Sequence, residues 1–87
     1  MQAVVDAQVR VLLFGPAARA AAAPSVVVRV STPSSAAAVL HALGAQHPAL
    51  AFALAHARLA VNHAIVPGDT PVGETDEVAL IALVDGG

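Results

Sequence analysis

Residues 76–87 read DEVALIALVDGG and join an apolar segment to a pair of glycines at the end of the sequence. Residues 77–84 predict a strand that is apolar on both faces, which is typical of the middle of a sheet. A second strand of this kind is predicted near the other end, at residues 9–14 (VRVLLF). We expect both strands at the centre of the sheet, so that the glycine pair emerges directly from the rigid core.

The segments that follow the first strand predict a short helix and a second strand. Gly15-Pro16 ends the first strand, and residues 17–23 are rich enough in alanine for two helical turns. Residues 25–31 (SVVVRVS) alternate, which places Val26, Val28 and Val30 on one face and Arg29 towards solvent.

One main helix is predicted next. Thr32 is a suitable N-cap, and Pro33 suits the first helical position, where its missing N–H costs nothing. Pro48 closes this helix near His47. Its apolar residues recur at helical spacing and form one face: Ala36, Val39, Leu40 and Leu43.

The remaining segments complete an α+β pattern. Residues 49–56 predict a further short helix, and residues 58–66 predict one or two strands with a turn at Asn62-His63, because Asn tolerates positive φ. Residues 67–76 predict a loop. One main helix should therefore pack on one face of a small mixed β-sheet. We divide the chain into an N-terminal extension (1–8), a domain (9–84) and a flexible tail (85–87).

Composition excludes several classes of function. The 87 residues suffice for one domain, 57% of them are hydrophobic, and the formal net charge is −2. The absence of cysteine excludes disulfides and thiolate chemistry, and four scattered arginines without any lysine argue against nucleic acid. No uncharged run reaches about 18 residues, so we expect no membrane span and a cytoplasmic protein.

The usual signatures of catalysis are also missing. The four histidines (His41, His47, His56, His63) lack the spacing of a metal site. Neither a nucleophile elbow nor a phosphate-binding glycine loop occurs. We therefore expect no cofactor, no metal and no catalysis by the chain alone.

The terminal Gly86-Gly87 pair is the candidate reactive group. Without Cβ atoms it can pass through a narrow channel and present a free carboxylate. Adenylation with ATP would activate that carboxylate towards a sulfur or amine nucleophile, and since the chain has no ATP site, an ATP-using partner must supply this step. Phe14 and Ile81 lie on strands that are apolar on both faces, so they either dock a partner or extend the core.

Four segments resemble the small subunit of molybdopterin synthase, the MoaD-like branch of the ubiquitin-like β-grasp sulfur carriers. They are VRVLLFG (9–15), the helix ending in AQHPAL (45–50), LAVNHAIV (59–66) and DEVALIALVDGG (76–87). The A-V-N segment and the D-E-V-A ending with its two glycines are the more specific motifs.

The resemblance implies a role for the tail. A ubiquitin-activating-type enzyme adenylates Gly87, a sulfur donor protein converts it to a thiocarboxylate, and Gly86 is the slim spacer. The tail then enters the large synthase subunit and delivers sulfur to precursor Z for molybdenum cofactor biosynthesis. The family assembles as a heterotetramer, and Phe14, Ile81, Val84 and Asp85 match its partner interface.

Three departures from the family pattern and two alternatives remain. Ala82-Leu83 stands where the family has a Pro-Pro pair, and Asp85 stands where it has a small hydroxyl residue. Thr75 stands where the family has a glycine before D-E-V, so Gly73 becomes the candidate for the turn at that point. The alternatives are a ThiS-like sulfur carrier of another pathway, and a ubiquitin-like modifier or binding module. Covalent adducts recovered by pull-down would separate a modifier, linked through Gly87 by an isopeptide bond, from a carrier.

Overall fold

A computed structural model of the chain describes residues 5–82. Seven strands, three α-helices and one 3₁₀ turn follow in chain order: β1 (Val5–Leu12), α1 (Gly15–Ala21), β2 (Ser25–Thr32), β3 (Ser34–Ser35), α2 (Ala36–Gln46), the 3₁₀ turn (Pro48–Leu50), α3 (Ala51–Leu54), β4 (Ala57–Val61), β5 (Ala64–Ile65), β6 (Pro71–Val72) and β7 (Val78–Ala82).

The two terminal strands lie side by side inside one five-stranded sheet. Its strand order is β2-β1-β7-β4-β5, and β3 and β6 form a separate pair. β1 is parallel to β7, whereas every other pairing is antiparallel. The predicted mixed sheet is therefore confirmed, and so is the central position of its terminal strands.

The helices cover one face of this sheet and enclose the core. Alternate residues of the strands point towards α2 and are almost fully buried, because successive strand residues face opposite sides. Each buried valine or leucine contributes roughly 1.5–3 kcal/mol relative to exposure. The largest fully buried side chains are Leu43, Leu50, Leu59, Leu80, Val9, Val11, Val28, Val39 and Val78.

The first strand differs from the prediction at both ends. It spans Val5–Leu12 instead of residues 9–14, because β2 pairs with it along its whole length, from Val5 opposite Thr32 to Leu12 opposite Ser25. Residues 5–8, expected in an N-terminal extension, thus belong to the sheet. The proposed limits of the extension, domain and tail otherwise remain predictions.

The start of the main helix also differs. Ser35, not Thr32, is the N-cap, and its hydroxyl accepts a hydrogen bond from the N–H of Ala38 at 3.2 Å. The N–H groups of Ala36 and Ala37 donate to the carbonyls of Thr70 and Gly68 in the distant loop. Because this loop satisfies the first N–H groups of the helix, residues 34–35 stay extended as β3 and the helix begins later.

The turn between β4 and β5 agrees with the sequence. Asn62 and His63 have φ of 51° and 74°, in the left-handed region that two-residue hairpins of this type require. The 67–76 loop differs only in containing the two-residue strand β6. Within residues 5–82 no single helix is long and apolar enough to cross a membrane, although α2 with residues 48–54, bent by 112°, passes that length and composition test as a pair.

The end of α2 closes the outer edge of β2. The side-chain amide of Gln46 accepts from the N–H of Arg29 at 2.9 Å and donates to its carbonyl at 2.8 Å, as a neighbouring strand would. The Nε2 atom of His47 lies 3.0 Å from the carbonyl of Val27. Since an open strand edge invites pairing with other chains, Gln46 acts as a one-residue substitute for a further strand.

We expect Gln46→Ala to lower the free energy of unfolding by about 1–2 kcal/mol, the value of two lost hydrogen bonds. It should also increase self-association, because the Arg29 backbone groups become free for strand pairing. Chemical denaturation and sedimentation velocity measure the two effects. His41→Ala, an exposed position on the same helix, is the control, and equal behaviour of both variants would contradict this role of Gln46.

Candidate partner-docking face and the base of the tail

The structure describes two of the six predicted site residues. Phe14 follows β1 and Ile81 lies in β7, whereas Val84, Asp85, Gly86 and Gly87 lie outside the described residues. Their assignment therefore rests on the sequence, and the structure shows the platform from which they continue.

This platform is the sheet face opposite the described helices, which we call the open face. A row of apolar residues crosses it in register: Leu12 on β1 is opposite Ala79 on β7, Ala79 is opposite Ala60 on β4, and Ala60 is opposite Ile65 on β5. Four strands thus contribute one contiguous apolar strip.

The open face holds an apolar depression, which we call the groove. Its lining residues come from four strands and their ends: Leu12, Phe14, Ala60, His63, Ile65, Glu77, Ala79 and Ile81. Phe14 is 57% exposed and Ile65 is 55% exposed, which is unusual for such large apolar side chains. Phe14 and Ile81 therefore belong to an accessible surface and not to additional core around the loops.

The rim of the groove carries one exposed ion pair. The Nε2 atom of His63 lies 3.5 Å from a carboxylate oxygen of Glu77. Both side chains are more than half exposed, so the pair adds little to stability. It marks the end of the groove that is nearest to the β4–β5 turn.

A side-chain network fixes the start of β7. The Asn62 side chain donates to a carboxylate oxygen of Asp76 at 3.0 Å and accepts from the N–H of Glu77 at 2.9 Å. The N–H of Asn62 also donates to the carbonyl of Glu77 at 2.7 Å. These bonds tie the β4–β5 turn to the strand that leads into the tail.

Asp76 also closes the preceding turn. Its second carboxylate oxygen accepts from the N–H of Gly73 at 2.8 Å, and its own N–H donates to the carbonyl of Gly73. Neither Gly73 nor Thr75 has a positive φ. The expectation that Gly73 would supply a special backbone conformation is therefore wrong, because the carboxylate holds the turn and a glycine is not required.

These hydrogen bonds lower the pKa of Asp76. The Gly73 N–H is the larger cause and the Asn62 amide the second, while burial opposes both weakly. A carboxyl whose pKa is lowered by folding stabilises the fold above its unfolded pKa of about 3.9. That contribution is lost as the pH falls through the lower pKa of the folded state.

We expect Asp76→Asn to lower the melting temperature by about 4 °C or more at neutral pH, since one charge-assisted hydrogen bond is lost. The difference from the unmodified chain should begin to shrink below about pH 3.9, where the unfolded carboxyl becomes protonated, and should disappear below the lower pKa of the folded state. Thermal unfolding between neutral and acid pH measures this. Asp69→Asn removes the same charge from an exposed loop position, and an identical pH profile for both variants would contradict the assignment.

The described residues present a surface and not a cluster of metal-ligating side chains. Residues 5–82 contain no group of three or more His, Asp or Glu side chains that could hold a metal ion. What they present is an apolar groove on a sheet whose central strand β7 is the last described element before the tail sequence.

Sequence reasoning missed part of the groove. It identified Phe14 and Ile81 but not Leu12, Ala60 or Ile65. The alternation of buried and exposed positions indicated their face, but their adjacency depends on the strand order, which joins residues far apart in the chain.

Comparisons with known proteins agree with this geometry. The model of the ThiS family matches residues 11–87. A comparison with curated protein sequences gives no significant match. The crystal structure of SAMP1 from Haloferax volcanii is 26% identical to this chain, with a TM-score of 0.77 over 92% of this chain and 99% of that chain.

Two further solved structures share the fold at lower identity. The small archaeal modifier protein 1 from Methanosarcina acetivorans is 21% identical, with a TM-score of 0.76 over 95% of this chain and 99% of that chain. A chain in the complex of subunits 1 and 2 of the molybdopterin-converting factor from Helicobacter pylori is 21% identical, with a TM-score of 0.64 over 92% of this chain and 99% of that chain.

The family match extends over residues 11–87 and so covers most of the chain. The chain therefore belongs to the ThiS family and has the ubiquitin-like β-grasp fold of sulfur carriers and protein modifiers.

Proposed function

We propose that this chain is the sulfur-carrying small subunit of molybdopterin synthase. The observation that carries the proposal is the apolar groove beside the strand that leads into the tail. Large exposed apolar side chains on a rigid sheet are typical of a surface that docks a protein partner. The H. pylori structure with the same fold is a complex of two subunits of a molybdopterin-converting factor, which supports a large subunit as that partner.

The chemistry of the proposal takes place on the terminal carboxylate. A carboxylate oxygen of Gly87 attacks the α-phosphorus of ATP, pyrophosphate leaves, and an acyl adenylate forms on the activating enzyme. A sulfide equivalent from a sulfur donor protein then displaces AMP, which leaves a thiocarboxylate on Gly87. In the large subunit this sulfur is transferred to precursor Z, and hydrolysis restores the carboxylate.

Each part of the chain has a defined task in this scheme. Gly86 and Gly87 form the thin end that reaches a buried active site, because glycine lacks a side chain. Val84 and Asp85 connect that end to β7, and the Asn62 network holds the start of β7 in place. Phe14 and Ile81 hold the body of the domain on the large subunit.

The reaction itself is tested by intact mass spectrometry after incubation with ATP, a sulfide source and the activating enzyme of the same organism. We expect the mass to increase by about 16 Da, as sulfur replaces oxygen at Gly87. Removal of Gly87 should abolish the increase. A mass that stays unchanged with the full-length chain would contradict the carrier role.

The docking role of Phe14 is tested with a matched pair of variants. Phe14 and Phe52 are 57% and 60% exposed, but only Phe14 lines the groove. We expect Phe14→Ala to weaken binding to the large synthase subunit by about tenfold to hundredfold, as an aromatic anchor would. Phe52→Ala on α3 should bind normally in the same calorimetric titration, and equal affinities of the two variants would contradict docking through the groove.

A second candidate function is a protein modifier attached through Gly87. The SAMP1 structure favours it, because SAMP1 is an archaeal modifier protein and is 26% identical to this chain. The chain contains no lysine, so it cannot form chains of itself through lysine side chains. Denaturing pull-down from the host separates the functions: isopeptide adducts on other proteins would support the modifier role.

A further inference from the structure

Three of the four arginines of the chain lie on the open face. Arg10, Arg29 and Arg58 are exposed, and each occupies a strand position that alternates with buried residues of the core. Arg19 lies in α1 instead. Because the chain has no lysine, these three side chains carry most of its permanent positive charge.

Two of these arginines lie beside the groove. Arg58 on β4 is directly opposite Ile81, which lines it. Arg10 on β1 precedes the lining residue Leu12 by two positions, on the same face of the strand. From the usual spacing between neighbouring strands and the usual rise per residue, the Cα atoms of Arg10 and Arg58 are about 16 Å apart, on a diagonal across the groove.

None of these three guanidinium groups takes part in an ion pair among residues 5–82. The ion pair that the structure shows among residues 5–82 joins His63 to Glu77 and involves no arginine. Two carboxylates lie on the same face: Asp6 on β1, and Glu77 just before β7, which lines the groove and lies 3.5 Å from His63. With three arginines against two carboxylates, the open face has a small excess of positive charge, although the whole chain has a net charge of −2.

We infer that the partner surface covering the groove is an apolar projection flanked by carboxylates, one opposite Arg10 and one opposite Arg58. This inference rests on the proposed function, in which that partner is the large synthase subunit. Guanidinium groups pair with carboxylates through two parallel hydrogen bonds, which fix orientation as well as attraction. Two such pairs on a diagonal set the rotation of the domain and so aim β7 at the partner's active site.

The partner surface that covers the groove should be negative, whereas the partner surface that surrounds the tail should be positive. Asp85 and the terminal carboxylate are negative and suit a basic channel. The partner is thus acidic where it meets the sheet and basic where it receives the tail. A nucleic acid is a poorer fit to the same face, because the space between the arginines is apolar and carries one aromatic ring, that of Phe14.

Charge reversal tests the inference. Three variants each change the net charge by two units: Arg10→Glu, Arg58→Glu and the control Arg19→Glu. A fourth variant, Arg58→Gln, removes the charge without reversing it and so covers the case in which the reversal disturbs β4. Binding to the large synthase subunit of the same organism is measured by calorimetry at about 0.02 M and about 0.5 M salt. Circular dichroism confirms that each variant is folded.

We expect each reversal on the open face to weaken binding about tenfold or more at low salt and much less at high salt, with Arg58→Gln in between. Arg19→Glu should stay within about twofold of the unmodified chain. If the unmodified chain binds but the open-face variants match Arg19→Glu, the inference fails while the proposed function stands. If the unmodified chain does not bind the large subunit, or binds single-stranded RNA in its place, both fail.

Discussion

The parallel pairing of β1 with β7 at the centre of the sheet is the constraint on which the rest of the structure depends. Val11 opposite Val78 and Leu12 opposite Ala79 place the two ends of the domain side by side. Because a parallel pair requires a long connection, the intervening residues must cross one face of the sheet, and α2 does so over the core. Among residues 5–82 the opposite face is left without a helix, and β7, the last described strand, precedes the glycine pair in the sequence.

The two faces of the sheet carry different kinds of residue. The helix side holds the closely packed valines and leucines, whereas the open side exposes Phe14 and Ile65 and the arginines around the groove. A domain of this size buries only roughly 60% of the surface of its unfolded chain, so exposed apolar area is a cost that a partner can offset. The hydrogen bonds of Gln46 and Asn62 stabilise two parts of the small sheet, its β2 edge and the entry to β7.

Much of this architecture could be predicted from local patterns. Apolar residues on both faces identified β1 and β7 as central, and Asn62-His63 identified the hairpin turn. The helix start was predicted too early because the loop carbonyls of Gly68 and Thr70 act across more than thirty positions of chain. The Gln46 bonds and the full groove were also missed, because both depend on contacts that only the folded strand order creates. The role of Gly87 depends on the family resemblance and on the sequence.

The central claim is that the open face, and not the helix side, meets the large subunit. Both isoleucines of the chain, Ile65 and Ile81, line the groove, so selective methyl labelling gives two probes of that face. Methyl groups of Leu43 and Leu50, buried on the helix side, are the internal reference. In an NMR titration with the large subunit, the account predicts that both isoleucine signals shift or broaden while the reference leucines change little. Unchanged isoleucine signals in a complex that does form would contradict it.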